Sequence, residues 1–289
     1  MTGPGTPGQE AMPSGSRRSR LLGGPYQGSR GVVVSIISTI IVVGVAGVLL
    51  VNAPGWEDFK SFFFDPEVFA ATWPKVVQGF LVNVRMFLVA EVFVLVFGLL
   101  LAIMRSLRGP VFTPFRGFAI IYVDVFRGLP AILVVYVLGF GIPGLGIEGV
   151  PSDEFFWGVL ALVLLYSAYV SEVYRAGIES VHPSQEAAAR SLGLSRFQAL
   201  RYVVVPQAVR RVIPPLLNDF IGLQKDTALV GLLGLVEAFR RADMEAAAAF
   251  NFTPYVATAL LFLALTIPMS RFVDWLVARD RRRQLAGAR

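Results

Sequence analysis

Six apolar stretches, separated by short polar segments, organise this chain, and each is long enough to be read as a membrane helix. The first, Val32–Val51, carries no charge and matches the roughly twenty helical residues that cross a hydrocarbon layer. Its length, and Pro54 after it, argue against a cleaved signal peptide. The other five fall at about 80–104, 118–140, 155–176, 209–236 and 254–277. Residues 56–75 mix acidic and aromatic side chains, including Asp58, Phe62, Phe63, Phe64 and Trp73, which suits a membrane–water interface. Between the fourth and fifth stretches lies QEAAARSLGLSRFQALRYVVVP, residues 185–206, whose Arg190, Arg196 and Arg201 keep it out of the bilayer. There Leu194, Phe197, Leu200 and Val204 recur at helical spacing, putting one apolar stripe on an otherwise basic helix that needs a partner surface. Gly193 predicts a break in that helix, and Pro206, with no N–H, predicts its end.

Composition and charge sharpen this reading. Of 289 residues 55% are hydrophobic, and the mean hydropathy of +0.64 is too apolar for a soluble domain of this size. The net charge of +6 is unevenly placed. Arg17, Arg18, Arg20 and Arg30 precede the first span, and Arg105, Arg108 and Arg116 follow the second. The arginine-rich loop follows the fourth, and Arg279, Arg281, Arg282 and Arg283 follow the sixth. The alternate loops are acidic or mixed, with Glu57, Asp58, Asp65 and Glu67, then Glu148, Asp153 and Glu154, then Glu237, Asp243 and Glu245. Because Lys and Arg stay inside, the alternation predicts a multi-pass protein of the cell membrane with both termini cytoplasmic. Arginines dispersed in this way do not make a nucleic-acid surface.

About thirty N-terminal residues rich in Gly, Pro, Ser and Arg predict a disordered tail over residues 1–31. Arg17 and Arg18 sit too far from the apolar segment for a twin-arginine signal. With no cysteine and one histidine, His182 beside Pro183, neither thiol chemistry nor a metal site has ligands to build on, and no catalytic constellation is visible. No G-x-x-x-x-G-K-[ST] occurs, so the chain shows no phosphate loop. Two overlapping G-x-G-x-x-G matches, from Gly139 and from Gly144, lack a flanking strand and helix and fall in an outer loop.

Charged side chains inside spans cost at least about 2.5 kcal/mol each at the bilayer centre, so each is a functional candidate or a buried pair. In the second span Arg85 and Glu91 lie about 120° apart on the helix and cannot pair with each other. Arg85, near the outer end, either snorkels or faces a ligand, whereas Glu91 lies deeper and faces other helices. Asp124 and Arg127, then Glu172 and Arg175, are spaced i, i+3 and read as structural pairs, with Gly128 and Pro130 distorting the third span. The fifth span opens at Pro214 and Pro215, continues through Asn218 and Asp219, and carries LQKDTAL in its middle. Lys225 and Asp226 are adjacent and so point about 100° apart, which suits two different neighbours, and Thr227 adds a hydroxyl at the same depth. Unlike charges there suit either the ammonium and carboxylate of an amino acid or a seal between helices.

Several of these strings together resemble a known family. The alanine pair Ala188 and Ala189, Gly193 four residues on, and Val203, Val205 and Pro206 resemble the cytoplasmic loop of ABC importer permeases. The family's glutamate precedes the alanine pair directly, whereas this chain has Ala187 there and Glu186 one place earlier, about 100° around the helix. YVDVFRGLPAI, AYVSEVYRAGIESV and the KDTAL string, which departs from K-D-T-S-L only at Ala228, resemble polar amino-acid permeases nearest the glutamate and glutamine branch.

The resemblance covers about residue 80 onward and implies an all-α, six-span transmembrane bundle of the type I ABC importer permease kind. Its parts would be an extra first span and interfacial segment over 32–79, a permease core over 80–278 and a basic tail over 279–289. The coupling loop at 178–208 would dock a separate ATPase through Glu186, Ala188, Ala189, Gly193, Arg196, Phe197 and Pro206. The substrate-binding group would be Arg85, Glu91, Asn218, Lys225, Asp226 and Thr227. The implied partners are an ATP-binding cassette ATPase dimer that holds the ATP, an extracytoplasmic substrate-binding protein, and a second permease subunit, identical or related, within the lipid bilayer. An ion-coupled carrier or channel, in which the same charges act as relays, and a membrane enzyme or assembly factor are the competing classes.

Overall fold

The computed structural model describes residues 29–107 and 109–287, so residues 1–28 of the predicted tail, Arg108 and the last two residues lie outside the described residues. The described chain is helical: α1 Ser29–Val51, α2 Trp56–Phe63, α3 Pro66–Ser106, α4 Thr113–Gly128, α5 Ala131–Tyr136, α6 Glu154–Glu179, α7 Pro183–Ser191, α8 Arg196–Ala199, α9 Val205–Asp226, α10 Ala238–Ala249 and α11 Thr253–Gly287. It divides into two compact units at Phe59 and Lys60. In the first, α1 is a straight run of apolar residues, exposed at every described side chain from Val32 to Val51. A helix apolar all round is one built for lipid.

The second unit is organised around α3, α6 and α9. Asp65 caps α3 by accepting from the amides of Glu67 and Val68, and Pro66 takes the first-turn position where no N–H is needed. The helix then runs 41 residues, about 60 Å at 1.5 Å per residue. α6 is buried for most of its length, with Trp157, Leu162, Leu165, Tyr166 and Val170 in the core. Small residues set how closely its neighbours approach: Gly98 of α3 receives Val170, and Gly177 of α6 receives Val212 of α9, where a Cβ would collide. Such contacts stand in for the hydrophobic drive that lipid removes. Between α4 and α5 the chain bends by 109° at Leu129 and Pro130, the distortion that Gly128 and Pro130 predict.

Four described helices are long and apolar enough to cross a membrane, and the bent pair of α4 and α5 makes a fifth. The predicted fifth span is a broken element, α9 followed by the 3-10 segment Thr227–Leu233. It is too polar to qualify by length and hydropathy because Arg210, Arg211, Asp219, Lys225 and Asp226 all fall within α9. The arrangement is compatible with six crossings.

Two local expectations change. Pro206 does not end a helix; it sits in the first turn of α9, where a π-helical stretch, Leu200–Val204, passes into α-helix and a missing N–H costs little. Pro214 and Pro215 accordingly lie inside α9 rather than at its start.

Candidate functional site

Two features stand out: the loop at one end of the bundle and a charged, aromatic face along α6. In the loop, His182 caps α7 by accepting from the Ser184 amide, and Pro183 fills its first turn. The helix ends in a Schellman motif, in which the Leu194 amide donates to the Ala189 carbonyl and the Gly193 amide to the Arg190 carbonyl. That motif needs a left-handed residue, and Gly193 supplies it at φ +88°. Ser195 and Gln198 then form a capping box that starts α8. Two short helices separated by a left-handed turn follow from these residues.

The loop's predicted stripe divides. Val204 is buried and Leu194 half-buried, while Leu192 is 85% and Phe197 68% exposed, with Leu200 and Tyr202 beside them in the exposed class. Ala189 is buried and Ala188 exposed. Glu186, one position away from the family's glutamate, lies 3.8 Å from Arg196 and ties α7 to α8. The loop thus offers an apolar knob rimmed with charge and left uncovered by the rest of the described chain.

Along α6, Phe155 and Tyr166 are eleven residues apart, about three turns, and Tyr169 is one turn further, so all three share a face. Each meets a charge from a different helix. The Arg85 guanidinium of α3 lies 5.1 Å over the Phe155 ring. The Tyr166 hydroxyl donates to Asp226 Oδ2 of α9 at 2.8 Å. The Arg127 guanidinium of α4 lies 5.8 Å over the Tyr169 ring. Next comes Glu172, which accepts from Arg105 and Arg175 and lies 3.6 Å from Arg127. From Phe155 to Glu172 the ladder spans about 25 Å, most of a hydrocarbon layer.

This geometry reassigns Arg127, whose carboxylate partner is Glu172 on α6 and not Asp124, which is exposed on its own helix. Glu172 and Arg175 do pair, at 2.7 Å, but as part of a hub that holds α3, α4 and α6 together.

The remaining candidates separate by environment. Lys225 is exposed and makes no ion pair among the described residues, while Asp226 faces Tyr166, so the adjacent charges do serve different surroundings. Arg85 and Asn218 are exposed. Glu91 is buried, both its carboxylate oxygens lack a hydrogen-bond partner, and it lies within electrostatic reach of Asp219, which in turn feels Arg127. Thr227 is fully buried, and its hydroxyl is held between Asn83 Nδ2 at 3.1 Å and the Gln224 carbonyl at 2.6 Å.

Asn83 is the centre of that cluster. It also donates to Glu237 Oε2 at 3.0 Å and accepts from the Ala238 amide, fastening α3 to the start of α10. Nothing in the sequence singles out Tyr166, Tyr169 or Asn83, which sit in apolar runs.

Comparison with known proteins gives this geometry a family. Residues 95–282 match the family described as binding-protein-dependent transport system inner membrane component. Among relatives from Bacillus subtilis, the "Probable glutamine ABC transporter permease protein GlnM" is 37% identical over 64% of this chain and 83% of its own length. The arginine transport system permease protein ArtQ is 32% identical over 69% of this chain and 90% of its own. The crystal structure of an amino acid ABC transporter with histidines superposes with a TM-score of 0.65 at 32% identity, over 71% of this chain and 94% of the other. An inward-facing structure of the MetNI methionine ABC transporter, at 18% identity and a TM-score of 0.57, shares the fold. This chain belongs to the family of inner membrane components of binding-protein-dependent transport systems, a transporter membrane subunit and not an enzyme.

Proposed function

We propose that this chain is the permease subunit of an ATP-driven importer for a polar amino acid of the glutamine and glutamate class. The observation that carries the reading is the pairing of two features on one connected element. The knob at Leu192, Phe197 and Leu200 stands just before α9, and the unlike charges Lys225 and Asp226 stand at its far end. A motor that pushes on the knob therefore acts on the helix that presents the charges.

The α-carboxylate and ammonium of an amino acid need a cation and an anion at close quarters. Lys225 and Arg85 are exposed cations, and Asp226 keeps one carboxylate oxygen free of Tyr166. Asn218 lies exposed two turns earlier on α9, and Glu91 stands behind the face; these and Thr227 complete the proposed substrate group, with Thr227 acting through the Asn83 cluster. The docking group is Ala188, Ala189, Gly193, Phe197 and Pro206, with Glu186 and Arg196 holding α7 to α8.

In this reading both termini and the 178–208 loop face the cytoplasm, an ATPase dimer grips the knob, a substrate-binding protein delivers from outside, and a second permease subunit completes the path. Nucleotide binding favours one packing of the bundle and hydrolysis releases it. Supporting this are the glutamine and amino-acid permease names among the relatives and the amino-acid transporter among the solved structures. The test is uptake of labelled glutamine by the complex reconstituted with ATPase and binding protein, with unlabelled amino acids competing. ATP-dependent uptake displaced best by glutamine or glutamate is expected, and uptake indifferent to the ATPase would sink the proposal in favour of an ion-coupled carrier.

A further inference from the structure

Among the described residues seven buried side-chain atoms lack a hydrogen-bond partner, Arg241 Nε on α10 and six on α3, α6 and α9: both carboxylate oxygens of Glu91, Ser171 Oγ, Asp219 Oδ2, and Oε1 and Nε2 of Gln224. Gln224 has no exposed surface at all. Buried polar groups almost always find partners, and in lipid no water replaces a missing one. Two of the four residues that carry these six lie on α9, and the others on the helices it packs against, Glu91 on α3 and Ser171 on α6.

The same helix departs from α-geometry at both ends. It is entered through the wider π-helical turns of Leu200–Val204 and left through the tighter 3-10 turns of Thr227–Leu233. Pro214 and Pro215 remove two amide donors from its middle. A 3-10 stretch of seven residues is longer than the three or four usual at a helix end, and π turns are rare and occur mostly where function needs them.

Room for movement is present as well. A groove of about 500 Å³ runs along α9 past Val205, Val209, Val212, Ile213, Leu216 and Phe220, with α3 and α6 forming its other walls.

We propose that α9 rotates about its own axis during transport, trading π-helical turns at the loop end for 3-10 turns at the charged end, and that Gln224 is buried in one register and hydrated in the other. The unpaired groups find partners in the alternate register, and the groove that already flanks the apolar face of α9 leaves that face room to turn. Because α8 adjoins the π-helical end and Lys225 and Asp226 the other, the rotation carries the motor's stroke to the charges. This inference rests on the ATP-driven importer reading.

The chain contains no cysteine, so single introduced cysteines report without a background. Gln224→Cys, with Leu162→Cys in the static core of α6 as control, is made in the full complex in lipid nanodiscs. Reaction with N-ethylmaleimide is followed without nucleotide and after trapping with ATP and vanadate. The expected result is a change of about tenfold or more in labelling rate at position 224 between the two states, with position 162 inert in both. Equal rates at 224 in both states, in a variant that still imports, overturn the rotation.

Should Gln224→Cys fail to assemble, Gln224→Leu serves instead. It favours the buried register, so the complex should assemble, melt higher and import about tenfold more slowly, and undiminished import overturns the proposal. Failure of the underlying reading is separable: a wild-type complex that imports without ATP defeats the importer, whereas ATP-driven import with state-independent labelling defeats only the rotation.

Discussion

Asp226 and Lys225 are neighbours in sequence that part company in space, one facing Tyr166 and the other exposed. The sequence picks them out as candidates because charge in an apolar run is costly. Asp226→Asn and Lys225→Met should each abolish uptake of labelled substrate while the ATPase still copurifies; transport at the wild-type rate would leave these side chains a structural role only. Tyr166 and Tyr169 were not legible in the same way, because an aromatic ring in a span reads as core and its hydroxyl reveals nothing until a partner is placed. Thr227 shows the converse. It stood with the charges in sequence, yet its hydroxyl is spent on Asn83 and on the Gln224 carbonyl. Asn83→Ala would leave the Ala238 amide without a partner, while Glu237 Oε2 keeps the Phe239 amide and the Thr227 hydroxyl keeps the Gln224 carbonyl. At about 1 to 3 kcal/mol for an unsatisfied group, the purified protein should melt several degrees lower. An unchanged melting temperature would mean that the cluster does not fasten α3 to α10.

At the scale of elements, the hub at Glu172 matters most, since its carboxylate gathers Arg105, Arg127 and Arg175 from three helices. Sequence spacing found only the Arg175 pair, because i, i+3 rules see one helix at a time and cannot show which helices will face each other. Glu172→Gln keeps the shape and removes the charge. Glu172 and Arg105 are largely buried but Arg127 and Arg175 are 44% and 34% exposed, so the loss should fall well below the roughly 3 to 5 kcal/mol of a fully buried pair, and thermal unfolding in detergent would register it. The break at Gly193 was legible in the sequence, and the caps at Asp65 and Ser195 show the same kind of local chemistry setting the starts of α3 and α8. Helix limits were not legible around α9. There Pro206 and the pair Pro214 and Pro215 read as boundaries by the usual rule, but π-helical winding upstream absorbed the first and the body of the helix holds the others.

For the whole molecule, apolar length and the alternation of basic and acidic loops foretold a helical membrane protein, and the arginine-rich loop foretold its family. The stretch read as a span over 209–236 breaks up in the structure, and α9 is too polar to qualify as a crossing because Arg210, Arg211 and Asp219 dilute it together with Lys225 and Asp226, the two proposed to serve transport. The account stands on the 178–208 loop as the place where an ATPase grips this subunit. Its geometry depends on Gly193, whose φ of +88° costs an L-residue about 1 to 2 kcal/mol and a β-branched one more. Apart from Gly193 and its two chain neighbours, no described atom lies within 4 Å of the place a Cβ would occupy there, so a larger side chain disturbs the knob and not the bundle. The decisive measurement is copurification of the ATPase with wild type and with Gly193→Val, each checked for intact folding. The account predicts that the ATPase stays with the wild type and is lost from the variant; full ATPase attachment and full uptake in Gly193→Val would contradict it.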